Sequence, residues 1–318
     1  MYKVLMTGGS GVIGTQLTPV LQKHGYHVEH IGRSRNSKTG VKTWLYDVKK
    51  GSIEDGVFNL EGYEGFYIIH LAGEGIMDKP WTEERKKSII GSRVNTIKFL
   101  YEECLKRKLF PKAVVSAAGI AYYGMVTNDH PFSEEDPASD DFIGQCCVQW
   151  ENAAKLFESH CPVSCLRTPL VLDANEGGLP MIVKPLQFFG VKTIIGTGKQ
   201  WLPWVHMYDL CNAYVFALEK QLSGSYNVVA REHVRFSQFM DALTPIRRLK
   251  KPRKFRHWIR IKIPVWAVRF LYGSRHKLVT EGTDVLGMKL EKEGFRFHFQ
   301  EIRDAFEDIY IGRYWTET

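Results

Sequence analysis

Thr7-Gly8-Gly9-Ser10-Gly11-Val12-Ile13-Gly14 follows the short apolar run Tyr2–Met6 and precedes Leu17, Val20 and Leu21 at helical spacing. The pattern predicts a strand that ends at Met6, a turn through glycines and an amphipathic helix. Gly8 permits the tight turn, Gly11 lets the backbone approach a pyrophosphate, and Gly14 lets the helix sit close to the strand. The N-terminus of that helix then faces the phosphates. A run of glycines alone is weak, because turns are rich in glycine; the strand before it and the helix after it make this one a dinucleotide-binding unit.

Working outward, apolar runs alternate with helical patterns through the first half. Tyr26–Ile31, Thr43–Tyr46, Phe66–Leu71, Ala113–Ser116 and Val163–Leu166 read as the second to sixth strands. Long helices are predicted from about Thr82 to Lys106 and from Phe142 to Ser159. The first has Ile90, Val94, Ile97, Tyr101 and Cys104 at three- and four-residue steps. Strands alternating with helices predict an α/β fold with a doubly wound parallel sheet covered on both faces. After Leu172 the character changes. Glycine- and proline-bearing loops (176–180, 196–203) are followed by a helix from Asp209 and a strand at Tyr226–Val229. Further helices are read at Ser237–Leu243, at Pro264–Tyr272 and from Phe299 onward. The expected division is a nucleotide-binding domain at 1–172, to which 205–229 returns, and a smaller substrate-side lobe at 173–318. A ligand between two lobes is the default expectation for such a fold.

The nucleotide can be read further. NAD selection asks for an acid at the end of the second strand. This strand ends Ile31-Gly32-Arg33-Ser34-Arg35, with Glu29 inside it. Glycine followed by arginine gives room and a forked cation for a 2′-phosphate, so NADP is expected over NAD. Asp47, after the third strand, is placed to flank the adenine.

The net charge of +8 is concentrated in one place. Residues 247–262 (RRLKKPRKFRHWIRIK) hold nine Lys/Arg and no acid, leaving the rest close to neutral. This run suits RNA or an acidic partner through its interleaved Phe255 and Trp258, resembles a nuclear-import patch, or is a solvated insertion. No apolar run approaches the ~20 residues of a membrane span, so no membrane partner is expected. The first strand begins at Tyr2, which leaves no room for a leader, and the six cysteines lack metal-ligand spacing. Reduced thiols in a cytoplasmic protein are therefore expected, with a nuclear location as the alternative raised by the basic run. No metal site is expected.

At HLAGEGI (70–76) the sequence meets a known family. It resembles the atypical or extended short-chain dehydrogenase/reductases and, within them, the 39U group of epimerase-family proteins. TGGSGVIG, WTEERKKSIIGSR (81–93), SAAGIAYYG (116–124), QWENAA (149–154), PWVHMYDL (203–210), IPVWAVRFLYG (263–273) and EGFRF (293–297) carry the likeness over nearly the whole chain. The resemblance implies a Rossmann-type fold with a small C-terminal domain of unknown function at about 262–312. It also implies NADP contacts at Gly8, Ser10, Gly11, Val12, Ile13, Gly32, Arg33, Leu71, Ala72, Arg93 and Val171. Taken from its residues alone, Arg93 is either a phosphate or ribose partner or an exposed helix arginine.

The broader superfamily works with a Ser/Thr, a Tyr and a Lys four residues after the Tyr. That spacing puts Tyr and Lys on one helix face, where the ammonium lowers the phenol pKa. Aligned on those motifs, Ala118, Cys147 and Glu151 stand in the three places. A carboxylate beside a thiol holds it neutral, so the usual relay is not expected. Substitute groups are Tyr122 or Tyr123 before Gly124, His206 as an acid near neutral pH, and Glu151 as a desolvated base; each also has an ordinary structural reading. The function expected is an NADP(H)-dependent oxidoreductase or epimerase-like enzyme acting on an unknown small molecule. The alternatives are a non-catalytic NADP(H) sensor or scaffold and, third, a nucleic-acid-associated regulator acting through residues 247–262.

Overall fold

The computed structural model describes residues 1–35, 38–189, 191–249 and 259–312. In chain order the strands are β1 (Lys3–Thr7), β2 (His27–Gly32), β3 (Thr43–Asp47), β4 (Ser52–Ile53), β5 (Phe66–His70), β6 (Val114–Gly119), β7 (Val163–Thr168), β8 (Leu170–Leu172), β9 (Val191–Ile195), β10 (Trp204–His206), β11 (Gly224–Asn227) and β12 (Ile259–Ile263). The helices are α1 (Val12–Lys23), α2 (Glu83–Arg107), α3 (Phe142–Ala154), α4 (Gly178–Phe189), α5 (Met207–Glu219), α6 (Phe236–Leu249), α7 (Val265–Tyr272), α8 (Lys277–Thr280), α9 (Met288–Lys292) and α10 (Ile302–Ile311). The chain divides into two compact units. The first comprises Met1–Tyr122, Ala138–Arg167 and Cys211–Tyr226; the second comprises Tyr123–Pro137, Thr168–Leu210 and the chain from Asn227 on.

The first unit is built on an eight-stranded sheet in the order β11-β7-β6-β5-β1-β2-β3-β4. β1 pairs in parallel with β2 on one side and β5 on the other, and β5 with β6. Strand order therefore reverses beside β1, and the loops after β1 and β5 leave adjacent carboxyl ends, where Thr7 pairs with His70. Every residue of β1 and β5 is buried, as strands covered on both faces require. The helices pack on this sheet through faces visible in the sequence. α1 buries Gly14, Leu17, Thr18 and Leu21. α2 starts where the Thr82 hydroxyl accepts the Arg85 N–H at 3.2 Å, and α3 where Asp141 accepts the Gly144 N–H at 2.7 Å. Two features of this sheet have no counterpart in the sequence reading: the short antiparallel β4 and the start of β11 at Gly224.

A buried polar tie fixes the middle of the sheet. The Lys3 ammonium lies 2.6 Å from the Glu29 carboxylate and donates to the carbonyls of Val57 and Asn59. Glu29 also accepts the Trp44 indole N–H at 2.7 Å. Breaking a buried pair costs about 3–5 kcal/mol, which explains why each polar group here has partners.

The second unit has two parallel strand pairs, β8 with β10 and β9 with β12. Its core gathers Trp204, Phe239, Met240, Leu243 and Phe306, with the Phe239 and Phe306 rings edge to face at 4.9 Å. Asp209 secures the loop ahead of α10 by accepting the N–H groups of His298 (2.8 Å) and Phe299 (2.9 Å). Here the structure departs most from the sequence reading. Residues 178–189, read partly as loop, form α4, and β8, β9, β10 and β12 stand where no strand is predicted. The reading of 247–262 as one basic segment falls largely on residues 250–258, which lie outside the described residues.

Candidate nucleotide-binding site

The glycine loop divides by what a side chain would meet. Gly8 has φ +70°, and a Cβ there would stand 2.7 Å from the Leu71 carbonyl carbon. At Gly9 it would enter the His30 ring at 2.4 Å, and at Gly14 it would lie 2.5 Å from the Gly9 Cα. These three glycines answer to the protein's own packing. The nearest contacts at Gly14 are with Gly8 and Gly9, the loop that runs on from β1. Gly11 is different. Its φ is −80°, open to any residue, and a Cβ there meets only the Gly8 oxygen at 3.2 Å. The space it leaves opens outside the protein.

Gly11 is also the N-cap of α1, with no side-chain cap and no acid in the first turn. Amide donors at a helix start and the positive end of the dipole are thereby left for an anion. Ser10 and Gly11 are exposed, and Val12 and Ile13 partly so.

Two histidines without a role in the sequence reading hold this loop from behind. Thr18 donates its hydroxyl to the Gly14 carbonyl at 2.7 Å, so His30 Nε2 is the donor in its 2.9 Å bond to Thr18. His70 Nε2 faces the Arg93 carbonyl at 2.9 Å and must carry the proton; Nδ1 then accepts from the Thr7 hydroxyl at 2.8 Å. The Ala72 N–H donates to the same hydroxyl. Burial pushes both imidazoles down to about 4, so each is a neutral structural linker. Periodicity is the signal that could have found them: both occupy strand positions that a buried apolar residue would normally take.

The loop after β5 carries Leu71 and Ala72 and is held by α2. Ser92 accepts the Glu74 N–H at 3.0 Å, Ser88 donates to the Glu74 carboxylate at 2.9 Å, and Arg85 pairs with that carboxylate. Arg93 donates to the carbonyls of Ile89 (2.9 Å) and Glu74 (3.0 Å), with its guanidinium over the Trp150 ring at 4.9 Å. It is neither an exposed helix arginine nor an unengaged cation: its side chain positions the loop that bears Leu71 and Ala72.

At the end of β2, the Arg33 side chain is 75% exposed, with Nη1 3.8 Å from Glu74. A Cβ on Gly32 would meet the Thr43 methyl at 3.2 Å. Arg35, by contrast, is tied to the Thr43 carbonyl and paired with Glu54. Asp47 spends its Oδ1 on the N–H groups of Lys49 and Lys50, closing a turn. Val171 lies in β8 of the second unit.

The groups named as substitute acids and bases are engaged elsewhere. Glu151 receives Arg167 through Nε at 2.7 Å and Nη2 at 3.0 Å, and Ser225 at 2.8 Å, with both charges buried. This correction has a plain cause: Arg167, 16 residues away in β7, reaches the carboxylate and neutralises it. Cys147 packs beside Gly119 at the end of β6, and its buried thiol is pushed up to about 12. Burial is the largest cause, ahead of Cys146 and Glu151, so the carboxylate is not the leading effect it was expected to be. Tyr123 is buried, with its hydroxyl donating to Asn227 at 2.9 Å. Tyr122 lies under the Arg167 guanidinium at 3.5 Å. His206 is buried against the Phe299 ring at 4.0 Å, accepts the Tyr208 N–H on Nδ1, and turns Nε2 to Asp308 at 3.3 Å. Cys147 and Glu151 belong to the first unit, Tyr123 and His206 to the second. Ala118 is buried in β6. All six cysteines are buried and outside disulfides, and among the described residues no cluster of three or more His, Cys, Asp or Glu is placed to hold a metal ion.

A doubly wound parallel sheet whose first strand feeds a glycine loop and an uncapped helix defines a Rossmann-type dinucleotide-binding protein. Comparison with known proteins narrows this. Residues 4–145 match the NAD dependent epimerase/dehydratase family, and residues 263–309 match a domain of unknown function, DUF1731. The chain is 29% identical over 318 residues to epimerase family protein YfhF of Bacillus subtilis (strain 168), covering 98% of each. The crystal structure of human epimerase family protein SDR39U1 (isoform2) with NADPH superposes with a TM-score of 0.82 at 26% identity, over 97% of this chain and 99% of that one. UDP-glucose 4-epimerase of Thermus thermophilus, solved with NAD, shares the fold at a TM-score of 0.73 and 19% identity, over 98% and 99%. Over nearly its full length the chain is similar to epimerase family proteins, with the DUF1731 match toward its C-terminal end.

Proposed function

We propose that this protein binds NADP(H) through its first unit and does so without the tyrosine–lysine relay of the wider superfamily. One observation carries the cofactor half: of the loop glycines, Gly11 is the least constrained by packing, and it caps a helix that offers its amides to an anion. In this reading Gly8, Ser10, Gly11, Val12, Ile13 and Gly14 form the diphosphate cradle. Gly32 and the exposed Arg33 take the 2′-phosphate, with Glu29 withdrawn into its pair with Lys3. Leu71 and Ala72 line the path of the nucleotide, Arg93 holds them, and Asp47 flanks the adenine. The NADPH bound in the human SDR39U1 structure supports the same choice of coenzyme.

The catalytic half rests on Ala118, Cys147 and Glu151, a methyl group, a neutral thiol and a neutralised carboxylate. Ala118 has no titratable group, burial pushes the Cys147 thiol up, and Glu151 is committed to Arg167 and Ser225, which favours a cofactor-dependent sensor or scaffold. The second reading, an oxidoreductase or epimerase-like enzyme on an unknown small molecule, is favoured by the intact DUF1731 segment and by near full-length relatives. A cytoplasmic site of action belongs to both and rests on six buried cysteines, none of which is in a disulfide.

Calorimetric titration with NADPH and NADH tests the cofactor half: NADPH should bind at least about tenfold more tightly, in line with a charge-assisted phosphate contact. Equal affinity, or none, removes it. Monitoring NADPH oxidation at its absorbance maximum across a carbonyl library separates the two readings. Saturable turnover with any member ends the sensor reading; inert protein that binds NADPH ends the enzyme reading for that substrate class.

A further inference from the structure

We infer that β12 and α7 form a docking surface for an anionic lipid bilayer. Five of the twelve large apolar side chains that stand exposed among the described residues fall within residues 261–271. Trp266 is 74% exposed, Phe270 87% and Leu271 71%, and Ile261 and Val265 are exposed beside them. Scattered exposed hydrophobics need no explanation, but a cluster of this kind does. The geometry of α7 accounts for it. Val268 is its one buried residue. At about 100° per residue, Trp266 and Phe270 lie about 40° apart on the face directly opposite Val268.

The charge around this face indicates what covers it. Arg260, Lys262 and Arg269 are all exposed. They sit within a stretch, residues 242–280, that holds twelve Lys/Arg and no Asp or Glu; the remainder of the chain is net negative. Aromatic and aliphatic side chains rimmed by cations match the boundary between lipid headgroups and acyl chains, where rings and aliphatic tips bury while Lys and Arg meet anionic heads. A second copy of the chain fits poorly, because a two-fold contact would bring two unbalanced cationic patches together. RNA fits the aromatics and cations but gives no role to Leu271, Val265 and Ile261. The expectation of no membrane partner rests on the lack of a span. No helix among the described residues is long and apolar enough to cross a membrane, and a surface contact needs none.

Co-sedimentation of the full chain with extruded vesicles tests this independently of the cofactor reading. Phosphatidylcholine vesicles with about 30% phosphatidylserine should carry the protein down at low salt, and pure phosphatidylcholine should not. Raising salt to about 0.5 M should release it, since exposed charges are then screened. Trp266→Ser with Phe270→Ser, and separately Arg260→Glu with Lys262→Glu, should each weaken partitioning about tenfold or more. Both pairs are on the surface and should leave thermal melting and NADPH titration unchanged. Absence of binding to the anionic vesicles overturns the inference, as does binding that neither double variant weakens. A dimer that the Trp266/Phe270 variant dissociates, seen by light scattering, reassigns the face to a second copy. Binding of single-stranded RNA that the same variant abolishes, with vesicle binding intact, reassigns the aromatics to RNA.

Discussion

Replacing Gly9 and Gly11 separately by alanine should split stability from cofactor binding, although the two residues are two positions apart in one loop. At Gly9 the new methyl lies 2.4 Å from the His30 ring, against an ordinary contact of about 3.5–4 Å, so a shift of roughly 1 Å or more is required. The ring cannot yield freely, because Nε2 is bonded to Thr18, and Thr18 to the Gly14 carbonyl. Overpacking of this kind costs about 1–3 kcal/mol, and a weakened His30–Thr18 bond adds about 1 kcal/mol. Gly9→Ala should therefore lose about 2–4 kcal/mol and about 4–8 °C in melting temperature. At Gly11 the methyl meets only the Gly8 oxygen at 3.2 Å, with no adverse φ. Exchanging glycine for alanine at an N-cap costs about 0.5–1 kcal/mol, so melting should fall by no more than about 2 °C. The same methyl stands where the diphosphate is proposed to lie, and NADPH affinity should drop about 100-fold, or about 3 kcal/mol. Thermal melts of the apo proteins and calorimetric NADPH titrations at about 25 °C read both quantities (affinity converted at about 1.4 kcal/mol per decade). A Gly11→Ala protein that binds NADPH within about threefold of wild type refutes the assignment of that open space to the cofactor. A Gly9→Ala protein that melts with wild type refutes the packing argument.

Arg33→Ala should weaken NADPH about tenfold and leave NADH unchanged, because the exposed guanidinium is proposed to meet only the 2′-phosphate; parallel titrations check it. Stability should rise with pH between about 4 and 6.5, since His30 and His70 are neutral when folded and take up protons when unfolded. Each should cost about 2 kcal/mol of stability as pH falls from about 6.5 to about 5, which urea melts at the two pH values measure; a flat profile contradicts the buried neutral imidazoles. His233 acts in the opposite sense, because its bond to Asp284 raises its pKa, so its contribution is present below about pH 6.5 and fades as pH climbs. Glu151→Gln leaves Arg167 buried without its counter-charge and should cost about 3–5 kcal/mol in urea melts with NADPH affinity per folded molecule unchanged. A stable Glu151→Gln protein with altered NADPH binding would return that residue to the site.

The parts of the fold that were legible in the sequence share a physical property. β1 and β5 are continuous apolar runs because both their faces are covered, and α1 and α2 display their buried sides at three- and four-residue steps. The helix starts read from apolar spacing, near Thr82 and at Phe142, fall where Thr82 and Asp141 cap α2 and α3 in the structure. The second unit was harder because its order comes from distant partners. β8 is three residues long and pairs with β10 across α4 and β9, and β9 pairs with β12 across α6. No window of local sequence contains that information.

The same reason separates the two halves of the candidate site. The glycine loop could be read because a backbone demand, room for a phosphate and a helix start, is written in consecutive residues. The proposed catalytic groups could not, since the fate of a titratable side chain depends on what lies opposite it. Glu151 reads as a base until Arg167 and Ser225 close on its two oxygens. His206 reads as an acid until Phe299 and Asp308 enclose it. Gly9 and His30 show the converse. Neither draws notice alone, yet the glycine is required by the ring behind it, and that ring, through Thr18, steadies the turn of α1 from which the loop's amides project. Whatever chemistry accompanies NADP(H) in this protein, the loop that would hold it is braced by two neutral histidines, and acidification through their shared window should loosen that loop.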